Sequence, residues 1–142
     1  MPSDLGFKTL NAVHGAVKKL SGGRIGWRAG GMPVLELTTT GRRSGEKRST
    51  MLTIPWQDDR SIAVVASRAG DDRHPAWFLN LRDDPAVSVS TRSGTRPMTA
   101  RILAGDERSE MWERITRAHD NYADYQKKTD REIPVVVLEP TS

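Results

Sequence analysis

Apolar residues at Leu10, Val13, Val17 and Leu20 recur at helical spacing, while Lys8, Lys18 and Lys19 lie largely elsewhere on the turn. This pattern predicts an amphipathic helix within residues 1–22, stopped by Gly22 and Gly23. The period then falls to two. Pro33 to Thr40 reads as a strand with Leu35 and Leu37 on one face, and in the next segment Arg48, Thr50, Leu52 and Ile54 alternate with Ser49, Met51 and Thr53. Ser61 to Ser67 is a nearly continuous apolar run, as expected of a buried strand. "HPAWFLNL" predicts a short helix started by Pro75. "AVSVST" and "TRPMTARIL" predict two strands, with Pro97 confined to an edge or a bulge, and "IPVVVLEP" predicts a last one. Before that strand, Asp106 is placed to cap a helix with Met111, Ile115, Ala118 or His119, and Tyr122 on one face. This helix runs, or breaks and resumes, as far as Lys128.

About six short strands without regular strand–helix alternation predict an α+β fold, mainly β: an antiparallel barrel with an N-terminal helix and peripheral helices. The 142 residues suit a single domain over 1–142, with the barrel at 33–140. No cysteine is present, which removes disulfides, thiolate metal sites and cysteine nucleophiles together. The histidines, His14, His74 and His119, show no metal-ligand spacing, so no metal is expected. The serines lack a nucleophile elbow, and Asp71-Asp72 and Asp83-Asp84 read as polar turns. No apolar run approaches a membrane span, so a cytoplasmic protein is expected; the basic first helix leaves contact with the inner face of an anionic membrane open.

The net charge of +4 is unevenly placed: Gly41 to Thr50 holds Arg42, Arg43, Lys47 and Arg48 against Glu46 alone, whereas the chain from Ala104 onward is acidic. Phosphate-binding P-loops need a different glycine spacing and a following helix, and here a strand follows. What remains is an anion site, or else a solvated hairpin turn: glycine-turn N–H groups and guanidinium forks both suit phosphate or carboxylate oxygens. The acidic C-terminal part and the placing of Tyr122 and Tyr125 on one helix argue against a nucleic-acid partner. With no protein nucleophile and no metal, any redox chemistry falls to a bound organic cofactor.

Three blocks in order, "LTTTGRRSGEKR", "AVVASRAGDDRHPAWFLNL" and "NYADYQKKTDREIPVVVLEP", resemble the deazaflavin-dependent nitroreductase family of actinobacteria over about Leu35 to Pro140. The resemblance implies a split β-barrel, related to the flavin-binding fold of pyridoxamine-phosphate oxidases, that binds the 8-hydroxy-5-deazaflavin coenzyme F-420, whose reduced form is the hydride donor. It also implies that Arg42, Arg43, Ser44 and Arg48, helped by Lys47, hold the coenzyme's phosphate and glutamate tail. Ser49, Thr50, Met51, Leu52 and Thr53 would run past the deazaflavin. Val65, Ala66, Ser67 and Arg68 would add backbone and polar contacts, and Ala76, Trp77, Phe78, Leu79 and Asn80 would cover another side. Tyr122 matches a tyrosine that closes over coenzyme and substrate, and water or a hydroxyl such as that of Tyr122 is the expected proton source; Tyr125 and His119 fall on the substrate side. His119 stands where one type of member has a third tyrosine, and Met51 where it has proline, differences that bear on the acceptor. Small-molecule acceptors in the family are quinones, activated alkenes of coumarin or furanocoumarin type, and nitroaromatics. An FMN enzyme of the same fold and a non-catalytic coenzyme carrier are the alternatives, and a monomer or a homodimer is expected.

Overall fold

The computed structural model describes the backbone of Arg28–Ala29 and residues 32–141; the predicted first helix lies outside the described residues. The chain forms β1 (Arg28–Ala29), β2 (Met32–Thr40), β3 (Lys47–Thr53), β4 (Trp56–Gln57) and β5 (Ile62–Val65), followed by a 3-10 turn (Arg68–Gly70). There follow α1 (Ala76–Asp83), β6 (Ala86–Thr91), β7 (Gly94–Ile102), α2 (Gly105–Ala118), α3 (Asp120–Lys127) and β8 (Val135–Pro140). The six expected strands are present, joined by the two-residue β1 and β4. All pairings are antiparallel in the order β1-β2-β6-β7-β8-β5-β4, with β3 on β2, and the sheet does not close. This is the open, mainly β architecture of a split barrel.

Period-two alternation sorts the apolar side chains into two clusters on opposite faces of the sheet. Ile62, Val64 and Ala66 on and after β5, with Val136 and Leu138 on β8, join Leu35, Leu37 and Val89 inside the barrel, where Phe78 and Leu81 of α1 close it. Ala63, Val65, Val135 and Val137 face outward and are covered by Ile115 of α2 and Tyr122 of α3. Full burial of each such side chain contributes about 1.5–3 kcal/mol. Helices on the outer face explain why β5 is apolar at every position rather than alternating.

Pro97 pairs with Ser88 of β6, but β8 reaches only as far as Met98, opposite Pro140. The Ala100 N–H points toward β6, donating to Pro85, so by alternation the Pro97 nitrogen faces the open side where no ladder bond is lost. The expected edge position therefore holds locally within an otherwise central strand. Asp106 is not the helix cap: α2 starts one residue earlier at Gly105, after Ala104, with no side-chain cap bond. Gly105 at φ 59 turns the chain into the helix instead, and Asp106 and Glu107 sit in its first turn, where the helix dipole favours acids. The long C-terminal helix does break. His119, at φ −140 and ψ 92, separates α2 from α3, although no glycine or proline marks the place.

Candidate functional site

The cation-rich segment forms the turn between β2 and β3. Gly41 donates to the Glu46 carbonyl at 2.7 Å, Gly45 donates back to the Gly41 carbonyl at 2.8 Å, and Gly45 takes φ 73. A Cβ on Gly41 would lie 2.8 Å from Ser44 Oγ and 3.2 Å from the Glu46 carbonyl, so a larger residue there would have to displace the Ser44 hydroxyl and press on the turn backbone. Arg42, Arg43, Ser44, Lys47 and Arg48 are all exposed. Lys47 Nζ donates to Thr40 Oγ1 at 2.9 Å, and Arg48 lies 3.4 Å from Glu46 in a solvent-exposed pair that contributes little. Arg42 is held more firmly: its N–H and its Nη1 both donate to Asn80 Oδ1, at 3.2 and 3.4 Å. Asn80, 5% exposed on α1, passes its other end to Thr39 Oγ1 at 3.2 Å. Thus the first and second blocks meet through one buried amide.

β3 runs from this turn with Lys47, Arg48 and Ser49 exposed and Thr50, Met51, Leu52 and Thr53 half-buried. At its far end Thr53 Oγ1 and the Tyr122 hydroxyl lie 2.8 Å apart, and that hydroxyl also lies 3.8 Å from Met32 Sδ. Tyr122 is 4% exposed and meets Tyr125 and His119 edge-on, at ring separations of 6.1 and 6.4 Å. Burial pushes the Tyr122 hydroxyl above the ordinary phenol range, partly offset by the Thr53 hydrogen bond and reinforced by Tyr125. It stays protonated at neutral pH and can donate.

The loop after β5 supplies the third side. Val65 and Ala66 are buried, one facing the outer cluster and the other the barrel interior. Arg68 and Ala69 take φ 47 and 54, a conformation that costs non-glycine residues about 1–2 kcal/mol each. Gly70 follows at φ 84, so close to α3 that a Cβ would meet the Tyr125 carbonyl at 2.8 Å and Lys128 Cβ at 2.9 Å. On α1, Trp77 and Leu79 are half-buried against the barrel interior and Ala76 is exposed, whereas Phe78 is buried and meets the His74 ring at a tilt, with centroids 4.8 Å apart. Phe78 is a core residue, 3% exposed.

Residues the sequence did not single out complete the arrangement. Arg131 binds the carbonyls of Ala66, Ser67 and Asp71, and its Nη1 lies 3.2 Å from His74 Nδ1. Gln126 of α3 holds the Arg131 carbonyl at 2.7 Å. An arginine in the polar stretch "KKTDREIP" carries no sign in sequence of being directed inward. Asp71 and Asp84 serve turns, Asp71 Oδ1 accepting the Arg73 N–H at 2.8 Å and Asp84 Oδ1 that of Ala86 at 3.1 Å, whereas Asp83, expected in a turn, is the last residue of α1. A cleft of about 530 Å³ opens near Ile54, Asp58 and Arg96, but none of the predicted site residues lines it. Among the described residues no helix is long and apolar enough to cross a membrane.

Fold and site together define a split-barrel protein with an exposed cationic turn at one end of an edge strand and a buried tyrosine hydroxyl at the other. The sequence profile of the F-420H(2)-dependent quinone reductases matches residues 11–140, and the chain belongs to that family. It is 35% identical to an F-420H(2)-dependent quinone reductase of Mycobacterium tuberculosis over 91% of this chain and 89% of the relative. A solved F-420H(2)-dependent reductase, FDR-A, is 42% identical with a TM-score of 0.67, covering 75% of this chain and 94% of that one. A solved structure described as a domain-swapped dimer is 36% identical with a TM-score of 0.70, covering 92% and 99%. The chain is accordingly an oxidoreductase that draws its hydride from the reduced deazaflavin coenzyme and reduces a quinone.

Proposed function

We propose that the deazaflavin lies along β3, its anionic tail on the β2–β3 turn and its ring end beside Thr53 and Tyr122. The observation that carries this reading is spacing: Arg48 and Thr53 are five residues apart on one strand, about 17 Å at strand rise. That length suits a ligand with phosphate and carboxylates at one end and a reactive ring at the other. Arg42, Arg43, Ser44 and Arg48, with Lys47 beside them, bind the tail. Ser49 to Leu52 border its path, the backbone of Val65 to Arg68 faces the ring, and Trp77, with Ala76 and Leu79, covers it. Asn80 acts through Arg42, since its own amide is already engaged.

When bound, the reduced coenzyme supplies a hydride, so the chain needs no nucleophile. Its residues fix distance and angle, exclude water, and hold one proton at the Tyr122 oxygen, which lies 2.8 Å from Thr53 Oγ1. Tyr125 and His119 line the acceptor side. Besides quinones, planar activated alkenes of the coumarin or furanocoumarin type and nitroaromatics fit a site bounded by aromatic edges. A homodimer is supported by the relative described as a domain-swapped dimer, and a cytoplasmic protein whose residues 1–22 touch the inner membrane face is supported by Lys8, Lys18 and Lys19.

The test is a tryptophan-fluorescence titration with the oxidised deazaflavin coenzyme and FMN in parallel, followed by steady-state oxidation of the reduced coenzyme by a quinone. Selective binding of the first with turnover is expected. FMN binding alone would reject the coenzyme assignment, and binding without turnover would make the protein a carrier.

A further inference from the structure

Arg131 lies in the connection between α3 and β8, and its guanidinium is directed at one loop. Nη2 donates to the Ser67 carbonyl at 2.8 Å, Nε to the Asp71 carbonyl at 2.8 Å, and Nη1 to the Ala66 carbonyl at 3.2 Å. These carbonyls bracket Arg68, Ala69 and Gly70, the consecutive residues at φ 47, 54 and 84. A backbone held in that region needs support from outside the loop, because its own hydrogen bonds, Gly70 to Ser67 at 2.9 Å and Asp71 to Arg68 at 3.0 Å, close only a single turn.

The other side of Arg131 is tied to the tyrosine helix. Gln126 Nε2 donates to the Arg131 carbonyl at 2.7 Å, and Gln126 Oε1 accepts the Ile133 N–H at 2.9 Å. Thr129 adds a bond to Asp72 Oδ1 at 2.7 Å, so the connection is fastened to the loop at both ends. Arg131 therefore links the left-handed loop, through three of the loop's carbonyls, to the helix of Tyr122 and Tyr125, beside the Thr129–Asp72 bond. We propose that Arg131 is a positioning residue for the coenzyme: by gripping the Ala66, Ser67 and Asp71 carbonyls it fixes the loop that faces the deazaflavin ring at a set distance from α3. This rests on the reading of Val65 to Arg68 as ring contacts given above.

Arg131→Lys keeps the charge but replaces the planar fork with a single ammonium. In the coenzyme-free variant the Gly70 and Asp71 amides should exchange with solvent about tenfold faster, while β8 amides keep their protection. In fluorescence titrations the variant should bind the full coenzyme and a truncated deazaflavin lacking phosphate and glutamates about tenfold more weakly, with the same factor for both, because only the ring side is disturbed. Arg48→Ala should weaken only the full coenzyme. Unchanged loop exchange, unchanged affinity, or a loss confined to the full coenzyme would each overturn the positioning role. If the wild-type protein binds neither form, the coenzyme reading itself fails; if it binds both and Arg131→Lys binds equally well, only the role of Arg131 fails. Should Arg131→Lys not fold, Gln126→Ala releases the same connection from α3, and equal losses for both ligands are again expected, with wild-type affinity overturning the idea.

Discussion

Tyr122 combines two properties that pull apart in most tyrosines: a ring packed into the outer cluster and a hydroxyl bonded to Thr53 at a strand end. Its burial keeps the proton on the oxygen, which is the state a donor needs. Tyr122→Phe should slow quinone reduction by about tenfold to a hundredfold in stopped-flow or steady-state assays, with coenzyme affinity nearly unchanged. A collapse of affinity would make Tyr122 a lid and not a proton source. Arg48 presents the contrasting case of an exposed side chain paired with an exposed acid, Glu46. Arg48→Ala removes a charge-assisted bond worth roughly 1.5–3 kcal/mol, and so should weaken the full coenzyme about tenfold to a hundredfold in fluorescence titration.

At the scale of elements, β3 joins the cationic turn at one end to the Thr53–Tyr122 contact at the other, and the 3-10 turn lies close against the end of α3. Gly70 is the point of contact. Gly70→Ala would place a Cβ 2.8 Å from the Tyr125 carbonyl in a left-handed backbone, so urea unfolding should show a loss of about 2 kcal/mol. Elements with a plain period were legible in the sequence: β2 through Leu35 and Leu37, β5 through its unbroken apolar run, α1 behind Pro75. The break at His119 was foreseen only as one of two choices. Its backbone is extended without any local breaker, and beyond it α3 packs against the turn at Gly70.

Across the whole molecule, the clamp around Arg131 makes stability depend on pH through His74. Burial, then Arg131, then Arg82 hold the His74 ring below its ordinary value of 6.5. The unfolded chain therefore takes up this proton first, so the contribution is complete above about pH 6.5 and is lost as the pH falls from there through the lower folded value. Thermal melts between about pH 8 and about pH 5 should show a decline on the acid side that His74→Gln flattens. A decline of equal size in the variant would assign it to other groups.

By itself the sequence determined the class of fold, the cationic turn and the tyrosine pair, because alternation, glycine spacing and charge are properties of neighbouring residues. The resemblance of three blocks added the coenzyme. Only the tertiary structure decided that Asn80 answers to Arg42, that Phe78 belongs to the core, that Tyr122 meets Thr53, and that Arg131 turns inward. These pairs are separated by 38 residues for Arg42 and Asn80, 69 for Thr53 and Tyr122, and 64 for Ser67 and Arg131. A local pattern says which groups a residue can bond. Which partner lies across the sheet is fixed by register and by the packing of α1 and α3 on the barrel, and neither is written in any single stretch of chain.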